Sequence, residues 1–333
     1  MSNRTVFFEK LKLNRAQPGQ RTRQKGRENG FDSGQTQAVS ITRAASQQTY
    51  YTVRLLVDRD RVSDAYRAYA YFRWLDDRLD QGGMEKADRV TLVERQTALI
   101  ERCYRGVWPR DLTVEEQWVA DLIRGDDEKN NGLQSYIRNM MAVMAFDADR
   151  RGRLISQIEL AEYSRLLATA VTEALHYFIG HDCRPPRGDA RYLAATGAHI
   201  AHMLRDAHDD NAAGYFNIPR EFLEAHRITP HEVESDAYRT WVQSRVHLAR
   251  AYFNAGMDYL ARVGDLRCRI AGYAYIARFE GVLEAIEREG YRLRSEYPER
   301  KSLGAGLRSG WSVLALALGR RRYGTVSRAL SVR

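Results

Sequence analysis

From Ala44 to about residue 297 the chain sets its apolar residues three and four positions apart, segment after segment, and scarcely ever in the alternating pattern of a half-buried strand. That period confines the fold to packed helices. Helical segments are expected at 46–57, 60–81, 84–105, 113–125, 132–149, 155–180, 189–212, 219–226, 230–262 and 265–297. Breakers separate them: Gly82-Gly83, Trp108-Pro109, the polar run 125–132, the turn Pro185-Pro186-Arg187-Gly188, and Ile218-Pro219. Only 7 prolines occur, and 44% of the residues are apolar, enough for a sizeable core. The expected fold class is all-α, with one helical domain at 46–300.

The ends differ from this body. Residues 1–45 are rich in Arg, Gln, Gly and Ser and carry nine Lys/Arg against three Asp/Glu, so they read as a disordered basic tail. Residues 301–333 hold seven Lys/Arg and no acid. The net charge of +9 therefore belongs to the ends, and 46–300 carries 36 basic and 40 acidic residues. That distribution fits ends touching an anionic surface, whether membrane or nucleic acid, better than a basic reading groove in the folded body, and plain solvated charge is the alternative; no nucleic-acid partner is expected. In the C-terminal segment Trp311, Val313, Leu314, Leu316 and Leu318 precede Arg320-Arg321-Arg322, a pattern fit for reversible interfacial binding or for a last core helix with a basic end. Val6, Phe7, Phe8, Leu11 and Leu13 form a weaker amphipathic patch. The apolar run 313–318 is far short of a membrane span. Cys103, Cys183 and Cys268 have no paired spacing, which argues against a disulfide framework or zinc site and for a reducing cytoplasmic setting, peripheral to the membrane if the C-terminal segment binds there.

Two acidic clusters carry the chemistry. In the first, about 100° of turn per residue places Tyr69, Arg73, Asp76 and Asp80 on one helix face, with Asp77 on its flank. In the second, His199, His202, Asp206 and Asp210 share a stripe, with Arg205 and Asp209 to one side. Carboxylates one turn apart repel unless a cation lies between them. A solvated acidic face is the ordinary reading of one such cluster. Here both are surrounded by Tyr71, Phe72, Trp74, Leu75, Ile200, Met203 and Leu204, which indicates burial, and buried carboxylates are paired or metal-bound. Hard oxygen ligands with neighbouring arginines suit Mg²⁺ and a diphosphate.

These motifs resemble those of the squalene/phytoene synthase family. Asp76-Asp77-x-x-Asp80 preceded by Arg73, and Leu204-Arg205-Asp206-x-x-x-Asp210 followed by Pro219, have the family's form. Between them Asp147 and the stretch from Glu159 through Tyr163 to Ser164 match family positions, and 267–291 looks like its closing helices. The resemblance implies a helical bundle with a hydrophobic cavity, in which prenyl diphosphates such as farnesyl or geranylgeranyl diphosphate join head to head to a C30 or C40 product. It further implies that Asp76, Asp77, Asp80, Asp206 and Asp210 hold Mg²⁺, that Arg73 and Arg205 contact diphosphate, and that Tyr69 and Tyr163 line the reacting centre. Whether NADPH takes part is open, since no Gly-rich dinucleotide loop follows a strand. The sequence departs from the family at His199 and His202, where Gln and Asn are usual, and at Thr169 and Thr172, where glycines are. These changes keep two alternatives in view: another prenyl transfer or cyclisation, and a catalytically silent helical assembly factor.

Overall fold

The structure, a computed structural model, describes residues 29–126, 128 and 131–297. Among these residues it is built of twelve α-helices and two short 3-10 turns, with no strand. The chain groups into two compact units that divide after Arg151. The amphipathic patch at Val6–Leu13 and the basic segment 301–333 lie outside the described residues. No described helix is long and apolar enough to cross a membrane.

The first unit holds α1 (Asn29–Ala45), α2 (Gln47–Leu56), α3 (Val62–Leu79), α4 (Lys86–Tyr104), α5 (Val114–Arg124) and α6 (Gly132–Arg150). Helix α3 is its axis: α1, α2, α5 and α6 all pack on it, and its buried residues surround the helix rather than forming one stripe. Tyr71, Phe72 and Leu75 are fully buried, and Phe72 meets the rings of Tyr71 and Tyr136 edge-on at 5.1 and 5.2 Å. The Tyr71 hydroxyl donates to Gln96 Oε1 at 3.0 Å, and Gln96 Nε2 donates to Glu116 Oε1 at 2.9 Å. That relay satisfies polar groups that burial would otherwise penalise. Glu116 also closes a capping box with Thr113 at the start of α5.

The second unit holds α7 (Gln157–Phe178), α8 (Leu193–Arg205), α9 (Ala207–Ala212), α10 (Arg220–His226), α11 (Asp236–Leu260) and α12 (Leu266–Arg288). Helix α8 is central, packed on α7, α11 and α12. Its contact with α11 is close because both helices present glycine there. A Cβ built on Gly256 would stand 2.7 Å from Ala194 Cβ and 2.9 Å from Ala194 backbone, and one on Gly197 would stand 3.0 Å from Ala249 O and Phe253. Side-chain hydroxyls and carboxylates start the long helices: Ser156 and Glu159 form a capping box on α7, Ser235 accepts from Tyr238 N on α11, and Asp265 accepts from Cys268 N on α12.

Three expectations from the sequence need correction. The tail ends earlier than 45, because Asn29–Ala45 is helix α1, packed on α3. Its buried positions include Ala38 and Thr42, both at 0% exposure, and small residues of that kind carry no strong apolar signal. The segment 189–212 is three pieces, a 3-10 turn at Asp189–Tyr192, then α8 and α9, broken at Asp206. Finally α11 starts at its Ser235 cap rather than near 230, and α12 stops at Arg288, where Gly290 and Tyr291 turn to φ 61° and 66°.

Candidate active site

In the first unit the last turns of α3 carry the first acidic motif. Tyr69, Arg73 and Asp76 are buried, Asp80 is half-buried as the residue that ends the helix, and Asp77 is exposed. Arg73 Nη1 lies 3.5 Å from Asp76 Oδ2. Its Nε donates to Asp77 Oδ2 at 3.0 Å, and its Nη2 pairs with Asp77 Oδ1. Burial opposes the Arg73 charge, but Asp76 and Asp77 outweigh it and hold the guanidinium pKa above its ordinary value. Asp77 thus clamps Arg73 from the flank, while Asp76 and Asp80 stand one turn apart on the same face, with the Asp80 N–H donating to Asp76 O at 3.0 Å. Further along the unit, the buried Asp147 accepts from Arg150 Nε at 2.8 Å.

The second motif spans the break between α8 and α9. Asp206 itself is the joint, at φ −98° and ψ 9°, yet its N–H still bonds His202 O at 3.0 Å and its carbonyl accepts from Asp210 N at 2.8 Å. The one-turn register of His202, Asp206 and Asp210 therefore survives the break. Arg205 grips the Asp206 carboxylate with two parallel bonds, Nε to Oδ1 at 2.6 Å and Nη2 to Oδ2 at 2.7 Å, the fork geometry of a strong charged pair. His202 Nε2 lies 2.9 Å from Asp206 Oδ2. Burial lowers the His202 pKa to about 4, Arg205 adds to the shift and Asp206 opposes it, so the imidazole is neutral at pH 7. Burial also works against the Asp206 charge, yet His202, which takes up its proton before the carboxyl does as pH falls, and the Arg205 fork together hold that carboxyl far below the usual range. Asp210 is buried and accepts from Asn217 Nδ2 at 2.7 Å. Asp209, beside them, is exposed.

Around this motif stand aromatic rings. Tyr163 of α7 is buried and meets the buried His199 edge-on at 5.1 Å. From α12, Phe279 lies 6.0 Å from the His202 ring, and Tyr275 packs edge-on to Phe279 at 5.3 Å. The second unit thus gathers Tyr163, His199, His202, Arg205, Asp206 and Asp210, and the first gathers Tyr69, Arg73, Asp76, Asp77 and Asp80. Sequence reasoning passed over Asn217, Tyr275 and Phe279. The signal for Asn217 was its place just before Ile218-Pro219, a turn that brings it back on Asp210.

Each motif offers two carboxylates one turn apart. Among the described residues no group of three or more His, Cys, Asp or Glu side chains is gathered to hold an ion unaided. Two carboxylates per motif fit an ion such as Mg²⁺, which keeps water and takes substrate phosphates as its other ligands. They do not fit a metal that needs a closed cage of protein ligands.

The family model described as squalene/phytoene synthase matches residues 42–304. Among solved structures, squalene synthase HpnC from Alicyclobacillus acidocaldarius superposes with a TM-score of 0.62 at 19% identity, covering 79% of this chain and 96% of that one. A dehydrosqualene synthase in complex with ligand superposes with a TM-score of 0.68 at 15% identity, covering 87% and 99%. At those identities the likeness is one of fold. No curated protein sequence matches the chain.

Proposed function

The chain belongs to the squalene/phytoene synthase family, and from that premise we propose that it is a prenyltransferase that ionises allylic prenyl diphosphates with Mg²⁺ and joins two of them head to head. The observation that carries the reading is the make-up of each motif: two carboxylates in one-turn register beside a buried arginine, Asp76 and Asp80 with Arg73, and Asp206 and Asp210 with Arg205. Bound by these carboxylates, Mg²⁺ supplies charge neutralisation to a departing diphosphate. The protein groups do the rest. Arg73 and Arg205 bring guanidinium charge to phosphate oxygens beside the carboxylates they bond. Beside the first motif Tyr69, and beside the second Tyr163, each buried, offer an aromatic ring to a nearby allylic cation. His202 enters this reading as a neutral, buried ring shaping the carboxylate it touches, and His199 as a buried ring near the second motif.

Release of inorganic pyrophosphate from farnesyl diphosphate tests the proposal. Release should require Mg²⁺, stop with EDTA, and fall by about 100-fold or more in Asp76→Asn, the scale of removing one preorganised charge-stabilising group. Release that is indifferent to EDTA, or an Asp76→Asn variant as active as the parent, would refute it.

A further inference from the structure

The connection between α4 and α5 holds apolar side chains out in water. Of the seven large apolar side chains that stand exposed among the described residues, three fall here: Val107, Trp108 and Val114, at 49, 36 and 50% exposure. Apolar residues exposed singly are ordinary, but three so close together in the chain form a patch that calls for a partner.

The patch is displayed on a fixed turn. Gly106, at φ 76°, ends α4, with its N–H donating to Cys103 O and the Val107 N–H to Arg102 O, both at 2.9 Å. In a helix end of this kind the residue at the place of Val107 commonly packs on the one at the place of Arg102. Here Arg102 is charged and exposed, and Val107 stays outside. At the other end the Thr113–Glu116 capping box sets Val114 as the first residue of α5, and the buried Glu116 is tied back to α4 through Gln96. Arg124 Cζ stands 4.4 Å from the centroid of the Trp108 ring, and its Nη1 pairs with Asp121 at 2.9 Å, so a guanidinium lies beside the indole.

Charge decides what the partner is. Residues 102–114 hold Arg102, Arg105 and Arg110 against Asp111, all exposed, a positive site on a body that carries 36 basic and 40 acidic residues. A second copy of the chain would bring the same positive charge to the contact, and this connection is far smaller than the roughly 20–30 residues a side of a stable protein interface. The ends of the chain are basic as well, nine Lys/Arg against three Asp/Glu in 1–45 and seven against none in 301–333, so neither complements it. An anionic lipid surface does. Valines enter its boundary, an indole suits the meeting of apolar and wet, and arginines reach headgroups on apolar stems.

We infer that the α4–α5 connection docks the protein on anionic membrane surfaces, with Val107, Trp108 and Val114 entering the interface and Arg102, Arg105 and Arg110 meeting headgroups. The inference goes beyond the function proposed above, and it concerns a surface separate in sequence from 301–333.

The test is flotation of the full chain with vesicles of phosphatidylcholine alone and of phosphatidylcholine mixed with phosphatidylglycerol, at low and high salt. Two double variants are compared with the wild type, Val107→Ser with Trp108→Ser, and Arg105→Gln with Arg110→Gln. The wild type should float with the anionic vesicles, and less so at high salt. The apolar double should partition about tenfold or more weakly, the scale of losing the burial of one large apolar side chain. The arginine double should lose the preference for anionic over neutral vesicles. A wild type that floats with neither kind of vesicle overturns the inference, and so does flotation that ignores vesicle charge. Double variants that are folded by circular dichroism and float like the wild type overturn it by placing membrane contact elsewhere on the chain. An apolar double that fails to fold overturns it by showing that these side chains serve packing. A wild-type dimer by light scattering that the apolar double breaks into monomers gives the surface to a second copy and overturns it too. Flotation needs no turnover, so this inference and the proposed function fail separately.

Discussion

Replacing Asp206 by Asn separates what that carboxylate does for the fold from what it does for chemistry. Arg205 is 6% exposed and makes two bonds to Asp206, so the substitution leaves a buried guanidinium without its counter-charge. Breaking a buried pair from one side costs about 3–5 kcal/mol. Asn keeps one oxygen that accepts from Arg205, and a hydrogen bond to a charged group retains about 1.5–3 kcal/mol, so a net loss of about 1.5–2 kcal/mol is expected. For a body of this size that is a fall in Tm of roughly 3–8 °C by thermal melting. The double variant Asp206→Asn with Arg205→Met removes both buried partners and should recover most of that fall, because replacing a whole pair by apolar groups is close to neutral. Turnover should be lost in both. The reasoning fails if the single variant melts like the wild type, or if the double variant melts lower still, since either result would show that the Arg205–Asp206 fork does not hold the joint between α8 and α9.

Three other outcomes follow from particular contacts. Asn217→Ala removes the 2.7 Å donor that orients Asp210, so the Mg²⁺ concentration giving half-maximal turnover should rise about 10-fold or more, while an unchanged Mg²⁺ dependence would show that Asp210 is not held for a metal. Gly256→Ala places a methyl 2.7–2.9 Å from Ala194, much of it against backbone that cannot turn aside, and should cost about 1–3 kcal/mol in urea unfolding; a neutral result would mean α8 and α11 part freely. Burial, helped by the Arg191 charge, lowers the His176 pKa from 6.5 to about 4, so between those values the unfolded chain binds a proton that the folded chain refuses. The contribution of His176 is therefore complete above pH 6.5 and is lost as pH falls toward 4; His176→Gln, judged by its midpoint of unfolding at pH 7 and pH 5, should lose less stability on acidification than the parent, and an equal loss would refute the assignment.

The helical body was legible because large apolar residues repeat at helical spacing on its faces; the expected segments at 84–105, 113–125 and 132–149 lie within two residues of α4, α5 and α6 at each end. Helix α1 was not, since its fully buried positions include Ala38 and Thr42, and a helix packed through small side chains has the composition of a tail. The two acidic stripes were legible from spacing alone. The break at Asp206 was hidden, because the backbone bonds from Asp206 to His202 and from Asp210 to Asp206 keep the one-turn register that spacing reports. The ion-pair partners were half visible: Arg73 and Arg205 stand beside their aspartates in sequence. Asn217 comes to Asp210, and Phe279 to His202, from other elements, and only the folded chain connects them.

The most direct test of the central claim is the mass of what the protein makes. Incubation with farnesyl or geranylgeranyl diphosphate, with and without Mg²⁺ and with and without NADPH, followed by organic extraction and mass spectrometry, should give a Mg²⁺-dependent product whose carbon skeleton is twice that of the substrate, together with inorganic pyrophosphate. A product with a single prenyl skeleton would replace head-to-head joining by another fate of the same cation. Substrate recovered intact under all conditions would contradict the account.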